Sequence, residues 1–318
     1  MRVEGLVCYE KGKIVCNEFK DVSLNPLTVI TGPNGVGKTT LLTLFNPLLF
    51  TSNEQLTKLT FLSYTSLKWP TPVFAKGKID GKEVIWFRDE EVAKAFGVTI
   101  NIAPSKALKS DNYTFTGLPN IEFVFCVDGK CGRAKEGTLE LPEVEAIGKA
   151  FFHSPHLALV LNMIKGTMRE YMKALEEGKI EGKALREMGF EGIEPGPPPY
   201  TVSLVLKEGF KVSPFVLGDG QKSALTLLML SELFDESGAF VDSPEAFLYP
   251  DLIDEVSNVL AEKEPLVVVS NSEKMRDSLK KALEERGKEL EVIELTIGES
   301  EEKRVGDFQI LVREVRVK

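Results

Sequence analysis

Residues 27–44 read LTVITGPNGVGKTTLLTL, and no other stretch restricts the possible fold so strongly. A short apolar run, Leu27 to Ile30, leads into Gly32, four further residues and the triplet Gly37-Lys38-Thr39; apolar residues at helical spacing follow. Strand, glycine-rich turn and helix in that order are the setting a phosphate-binding loop requires. Gly32, Gly35 and Gly37 permit backbone angles and close approaches that a Cβ would obstruct. The backbone from Asn34 and Gly35 through Gly37 to Thr40 can then aim its amides at phosphate oxygens, helped by the start of the helix. Lys38 would bridge the β- and γ-phosphates, and Thr39 would give its hydroxyl to Mg²⁺. Nucleotide binding is therefore expected, while the use made of the nucleotide is left open.

Composition narrows the class. The chain has 318 residues, enough for a large α/β core and an accessory piece. Its 48 acidic against 39 basic residues, net charge -9, disfavour a domain built mainly for non-specific duplex binding, though a local positive groove stays compatible. The first residues lack a secretory h-region, and the apolar run Leu225 to Leu230 is too short for a membrane span. A soluble, cytoplasmic protein is expected. Three glutamines (Gln55, Gln221, Gln309) amid much Lys and Glu lean towards a heat-adapted source.

The four cysteines fall as Cys8 with Cys16 and Cys126 with Cys131. Asp128-Gly129 reads as a two-residue hairpin turn, which sets Cys126 opposite Cys131. Cys8 and Cys16 face one another if the loop around Gly12 has three residues. Buried thiols are the expectation, with hairpin disulfides as the alternative in a hyperthermophile. The spacing is too loose for a four-thiolate zinc site, and His153 and His156 have no third ligand nearby in sequence.

Residues 3–31 read as β-rich, with Leu6 to Cys8 pairing with Ile14 to Cys16. The first helix is expected over Thr39 to Leu49, buried through Leu41, Leu42 and Phe45 and ended near Asn46-Pro47. A hairpin over 76–87 turns at Asp80-Gly81, with Val84, Trp86 and Ile79 on its covered face. A short helix over 89–96 and a second hairpin over 121–134 follow. Trp69, Tyr113 and Phe115 are read as packing residues. Residues 142–192 read as helical, an arm or lid without a sustained heptad, ended by the boundary Glu194-Pro-Gly-Pro-Pro-Pro199. A strand from Tyr200 to Leu206 and a turn at Gly209 return the chain to its core.

Chemistry resumes in LGDGQKSALTLLMLSELF, residues 217–234, a glycine turn before an apolar helix. GAFVDSPEAFLYP, residues 238–250, reads as a strand ending at Asp242. Leu266 to Val269 is a further strand, ending at Ser270-Asn271. The tail reads as a helix from Met275 to Glu285 and strands over 290–297 and 308–317, with 299–303 a solvated turn. Gly218 and Gly220 would expose amides at a helix start, a second anion cradle that also involves Gln221. Asp242 would hold Mg²⁺ opposite Lys38 and Thr39. One nucleotide cannot readily fill its own loop and a remote copy of this cradle, so a twofold homodimer formed on nucleotide binding is inferred.

Taken together, these segments resemble the ABC-type ATPase superfamily in its soluble SMC, Rad50 and RecF-like branch, closest to the small prokaryotic AAA-15/AAA-21 (OLD-like) ATPases. The resemblance covers nearly the whole chain, the arm least. It implies an α/β P-loop NTPase of ABC type: a mixed core sheet, an antiparallel β subdomain and an inserted short helical arm. Residues 1–141 and 200–318 would be the two halves of the ATPase core and 142–199 the insertion. It implies ATP as the nucleotide, with LGDGQ as the signature loop that meets the γ-phosphate bound by a second subunit. The metal-carboxylate nuclease domain fused to OLD-type ATPases has no counterpart in the sequence.

Departures from the family pattern bear on mechanism. Ser243 stands where the family has the glutamate that polarises water, and Asn271 where it has a histidine. A hydroxyl of high pKa is a poor general base, and an amide exchanges no proton near neutrality. Three explanations stand: Glu245 reaches the water instead; hydrolysis is very slow and ATP acts as a dimer clamp; or ATP is a switch. Losing a base worth a factor of roughly 10²–10⁴ predicts turnover well below about one per minute. The leading expectation is a weak ATPase whose ATP-dependent dimerisation repositions residues 142–200 for a protein partner. A non-catalytic switch or scaffold is the second reading. A DNA repair or chromosome-associated ATPase is the third, disfavoured by the acidic balance.

Overall fold

A computed structural model of the chain describes residues 1–44, 72–99, 106–109, 123–135, 138–141, 145–146, 148–155, 161–197 and 202–318. The first-helix end expected near Asn46-Pro47, and Gln55, Trp69, Tyr113, Phe115, His156 and Pro198 to Tyr200, lie outside these residues.

The chain opens with two long strands, β1 (Arg2–Lys11) and β2 (Lys13–Ser23), reversed at Gly12. Next come β3 (Leu27–Thr31), the glycine-rich turn and α1 (Lys38–Leu44). Strands β4 (Phe74–Ile79) and β5 (Lys82–Phe87) form the hairpin at Asp80-Gly81, both of whose residues have positive φ, as a tight hairpin turn demands. Ile79, Val84 and Trp86 are all buried in the main core. Helix α2 (Glu90–Ala95) is capped by Asp89, whose carboxylate accepts from the amides of Glu91 and Val92. Then follow β6 (Lys106–Lys109), β7 (Phe123–Val127), β8 (Lys130–Lys135), β9 (Thr138–Leu141) and β10 (Ala150–His153). Helices α3 (Leu161–Glu176) and α4 (Lys183–Glu187) lead to the small antiparallel sheet of β11 (Gly192–Pro195), β12 (Val202–Val205) and β13 (Lys211–Val212). The last third holds α5 (Asp219–Leu233), β14 (Gly238–Asp242), α6 (Pro250–Leu260), β15 (Leu266–Val269), α7 (Glu273–Glu284), β16 (Glu291–Val305) and β17 (Phe308–Val317).

Fourteen strands share one sheet in the order β10-β14-β15-β3-β16-β17-β2-β1-β4-β5-β7-β8-β9-β6. From β10 to β16 every pairing is parallel. That block is covered on both faces, which is why GAFVD and LVVV are unbroken buried runs without alternation. β17 turns back antiparallel on β16 but lies parallel to β2, and from β2 outward all pairings are antiparallel. The fold is thus the α/β P-loop NTPase type with a mixed sheet. Its antiparallel part is continuous with the core sheet through β17 and β2. No helix among the described residues is long and apolar enough to cross a membrane.

Three local expectations are corrected. Residues 150–153, inside the stretch read as helical, form a strand, because AFFH buries completely at the parallel edge beside β14. Residues 299–303 are not a turn: β16 runs on to Val305 and reverses at Gly306. Its charged outer residues are held by the ladder to β17, whose Ile310 and Val312 are buried. The cysteines are not free thiols: Cys8–Cys16 and Cys126–Cys131 are disulfides, each joining directly opposed residues of a hairpin.

The described helices between residues 161 and 187 pack on the rest of the chain. Ile164, Met168 and Tyr171 of α3, and Ala184 and Leu185 of α4, pack with Leu225, Leu228 and Met229 of α5. Pro195 lies on β11, an edge strand, where a missing amide costs no ladder bond.

Candidate functional site

The loop between β3 and α1 is shaped by its glycines. Gly32 has φ 140°, and a Cβ there would lie 2.4 Å from the Leu295 carbonyl oxygen of β16. Gly37 has φ 106°, and a Cβ there would meet the Asn17 amide at 2.6 Å. Lys38 Nζ folds over the loop, donating to the carbonyls of Gly32 at 2.6 Å and Pro33 at 3.0 Å. Burial lowers its pKa from the ordinary lysine value, an effect opposed by the nearby Asp242 carboxylate.

Asp242 ends β14, two strands from β3 with β15 between them. That spacing sets its carboxylate over the start of α1, where Thr39 Oγ1 donates to Asp242 Oδ2 at 2.9 Å. A hydroxyl and a carboxylate meeting beside a lysine are the hard oxygen donors that Mg²⁺ takes, so the residues fit that ion. Ser243, at φ 51°, donates through Oγ to Asp242 Oδ1 at 3.2 Å. Glu245 Oε1 accepts from Ser270 Oγ at 2.8 Å, whereas Oε2 is buried with no hydrogen-bond partner. Burial away from water raises the Glu245 pKa above the usual carboxylate value. Asn271 latches the loop: its Oδ1 accepts from Gly32 N at 3.2 Å and Thr31 Oγ1 at 3.3 Å, and its Nδ2 donates to Asn34 Oδ1 at 3.4 Å.

Apart from Thr31 and the buried Asp242 and Ser270, which are not part of its lining, the side chains just described open onto one cleft of about 500 Å³. Asn34, Gly35, Gly37, Lys38, Thr39, Thr40, Ser243, Glu245 and Asn271 line it together. Thr40 is buried and bonded to the Tyr9 hydroxyl at 2.9 Å, so its side chain braces the loop from below. Gly218, Gly220 and Gln221 do not line this cleft. Gly218 and Gln221 are exposed, and the Gly218 amide donates to Gln221 Oε1 at 3.2 Å, so that side chain must swing away before the amide can take an anion. Gly220 is a packing glycine: a Cβ would lie 2.2 Å from the Phe247 carbonyl oxygen in the loop after β14. His153 lies outside this cleft, on β10. It is fully buried, its pKa lowered to about 3 by that burial, with Nε2 3.4 Å from Ser223 Oγ of α5.

Sequence reasoning missed Tyr9, Asn17 and Arg313, which line the cleft from β1, β2 and β17. Only the register of β17 on β2 sets Arg313 beside Asn17, and no local motif carries that pairing.

Residues 1–84 match the family described as an AAA domain (AAA_23). That match spans the phosphate loop and the first strands. Among solved structures, an SMC head domain from Thermotoga maritima is similar at 13% identity, covering 98% of this chain and 98% of that one, with a TM-score of 0.36. An Smc head domain with an extended coiled coil, bound to the C-terminal domain of ScpA derived from Pyrococcus furiosus, gives 11% identity over 100% of this chain and 95% of that one, TM-score 0.42. A dimeric bacterial ABC transporter cassette gives 15% identity over 87% and 90%, TM-score 0.39. No curated protein matches the sequence.

Proposed function

We propose that this chain binds ATP with Mg²⁺ in the cleft above α1 and uses the bound nucleotide to join two copies of itself, hydrolysing it slowly. The observation that carries the reading is the 2.9 Å contact between Thr39 and Asp242 beside Lys38. Residues 203 positions apart in sequence meet there as a phosphate grip with a pair of metal donors. Bound Mg²⁺ would neutralise charge on the β- and γ-oxygens, held by Thr39 and Asp242. Lys38 trades its two carbonyl bonds for phosphate oxygens. Glu245 is the carboxylate available to hold a water, since Ser243 spends its proton on Asp242. The turn at Gly218–Gly220 reaches the nucleotide of a second copy, and exposed Val216, Phe247 and Tyr249 supply apolar contact around it. The insertion, residues 142–199 with β10 counted to the core sheet, is the surface offered to a protein partner.

A switch without useful turnover is the second reading, favoured by Asn271, which is committed to holding the loop. Light scattering and nucleotide titration of wild type and Lys38→Ala, with and without ATP and Mg²⁺, test the proposal. Wild type should dimerise only with nucleotide. Lys38→Ala should bind it roughly 100-fold more weakly, having lost charge-assisted bonds to phosphate, and stay monomeric. A wild type that binds ATP yet stays monomeric would remove the two-copy half of the proposal.

A further inference from the structure

The end of the cleft away from Asp242 holds a cation that the proposed function does not use. Arg313 of β17 lines the cleft and is half-buried. Its Nε donates to Asn17 Oδ1 at 3.0 Å, and among the described residues it forms no ion pair. On the same strand Arg316 takes Glu314, which Lys20 also approaches, so carboxylates are at hand but not for Arg313. Asn17 is itself 2% exposed, and its amide nitrogen presses against Gly37 of the phosphate loop. One buried side chain thus fixes the guanidinium relative to the loop and leaves its two terminal amino groups for something else.

We infer that Arg313, set by Asn17, is a phosphate contact at the nucleoside end of the cleft, taking the α-phosphate of the nucleotide through its two terminal nitrogens. This rests on the proposed nucleotide reading. The strand order supplies the direction. Asp242 lies to one side of β3, on β14, whereas Arg313 and Asn17 lie to the other, on β17 and β2. A triphosphate whose γ end meets Thr39 and Asp242 runs its α end towards β17. A planar guanidinium with its Nε tied down presents two parallel donors, the geometry that suits a phosphate. In a chain of net charge -9, a half-buried cation with no ion pair among the described residues is available to an anionic ligand.

Titrations of ATP, ADP and inorganic tripolyphosphate, each with Mg²⁺, into wild type, Arg313→Met and Arg313→Lys test this. Arg313→Met should weaken all three ligands by a similar factor, roughly 10- to 100-fold, with Arg313→Lys between it and wild type. If tripolyphosphate binding is unchanged while ATP weakens, the contact is to the base or ribose and the inference fails. If wild type binds all three and both variants match it, the inference fails alone. If wild type binds none, the nucleotide reading falls with it. Arg313→Lys retains the stem and charge, so its fold, checked by circular dichroism, keeps the test open if Arg313→Met unfolds.

Discussion

The chain carries two glycine turns, each opening a helix, and they are built on opposite terms. The turn at Gly32–Lys38 is held at both of its ends, by Leu295, Asn17, Asn271 and the ammonium of Lys38, while its tip from Pro33 to Gly35 is exposed. The turn at Gly218–Gly220 is gripped on one side only, by the loop carrying Phe247, and its outer face is open. A turn with its shape fixed by neighbours is preorganised for a ligand that arrives alone. A turn with an open outer face, its Gly218 amide closed off by Gln221, is the one the proposed second copy would have to rearrange.

The largest expected effect breaks the first turn. Gly32→Ala places a methyl against a backbone carbonyl at a φ that L-residues rarely adopt, so it should cost about 3–5 kcal/mol in urea unfolding. A loss below about 1 kcal/mol would show that the loop is not held as described. Next comes Glu245→Gln, which should slow ATP hydrolysis roughly 10- to 100-fold while leaving ATP binding within about twofold. Because burial raises the Glu245 pKa, the acid limb of the wild-type rate profile should lie above the ordinary carboxylate range and vanish in the variant. Equal rates for both proteins would leave the cleft without a base.

Under the second turn, His153 touches Ser223 of α5. Its pKa falls from 6.5 unfolded to about 3 folded, so the unfolded chain binds the proton first. Stability from this group is complete above the unfolded value and is lost as pH drops towards the folded one, by about 1.4 kcal/mol per pH unit. His153→Gln should flatten that slope between pH 6 and roughly pH 4. The smallest effect is Gly218→Ala. Its φ is ordinary and the space is open, so monomer stability should move by less than about 0.5 kcal/mol. Loss of nucleotide-dependent dimers in that variant would sharpen the contrast, and undisturbed dimers would break it.

What the sequence disclosed depended on distance along the chain. The phosphate loop, the Asp80-Gly81 hairpin and the β15 strand are written in adjacent residues, where turn chemistry and apolar runs act locally. The 150–153 strand was hidden because four buried residues beside a helical pattern read the same in either state. The 299–303 extension was hidden because its ladder partner, not its own composition, holds it extended. Arg313 and Asn17 were invisible for the same reason: they meet only through register. Glu245 was legible as a residue type, but its buried, unpartnered oxygen became visible only once Ser270 was packed against it.

At the far end of α5, the Glu232 carboxylate accepts the amides of Glu181, Gly182, Lys183 and Ala184 and the hydroxyl of Tyr171. The 15 residues of α5 span about 22 Å, so one stiff rod joins the open turn to the start of α4. Clamped by five bonds at Glu232 and buried from Ser223 to Ser231, the rod meets solvent at its first turn, where Gly218, Asp219 and Gln221 are exposed.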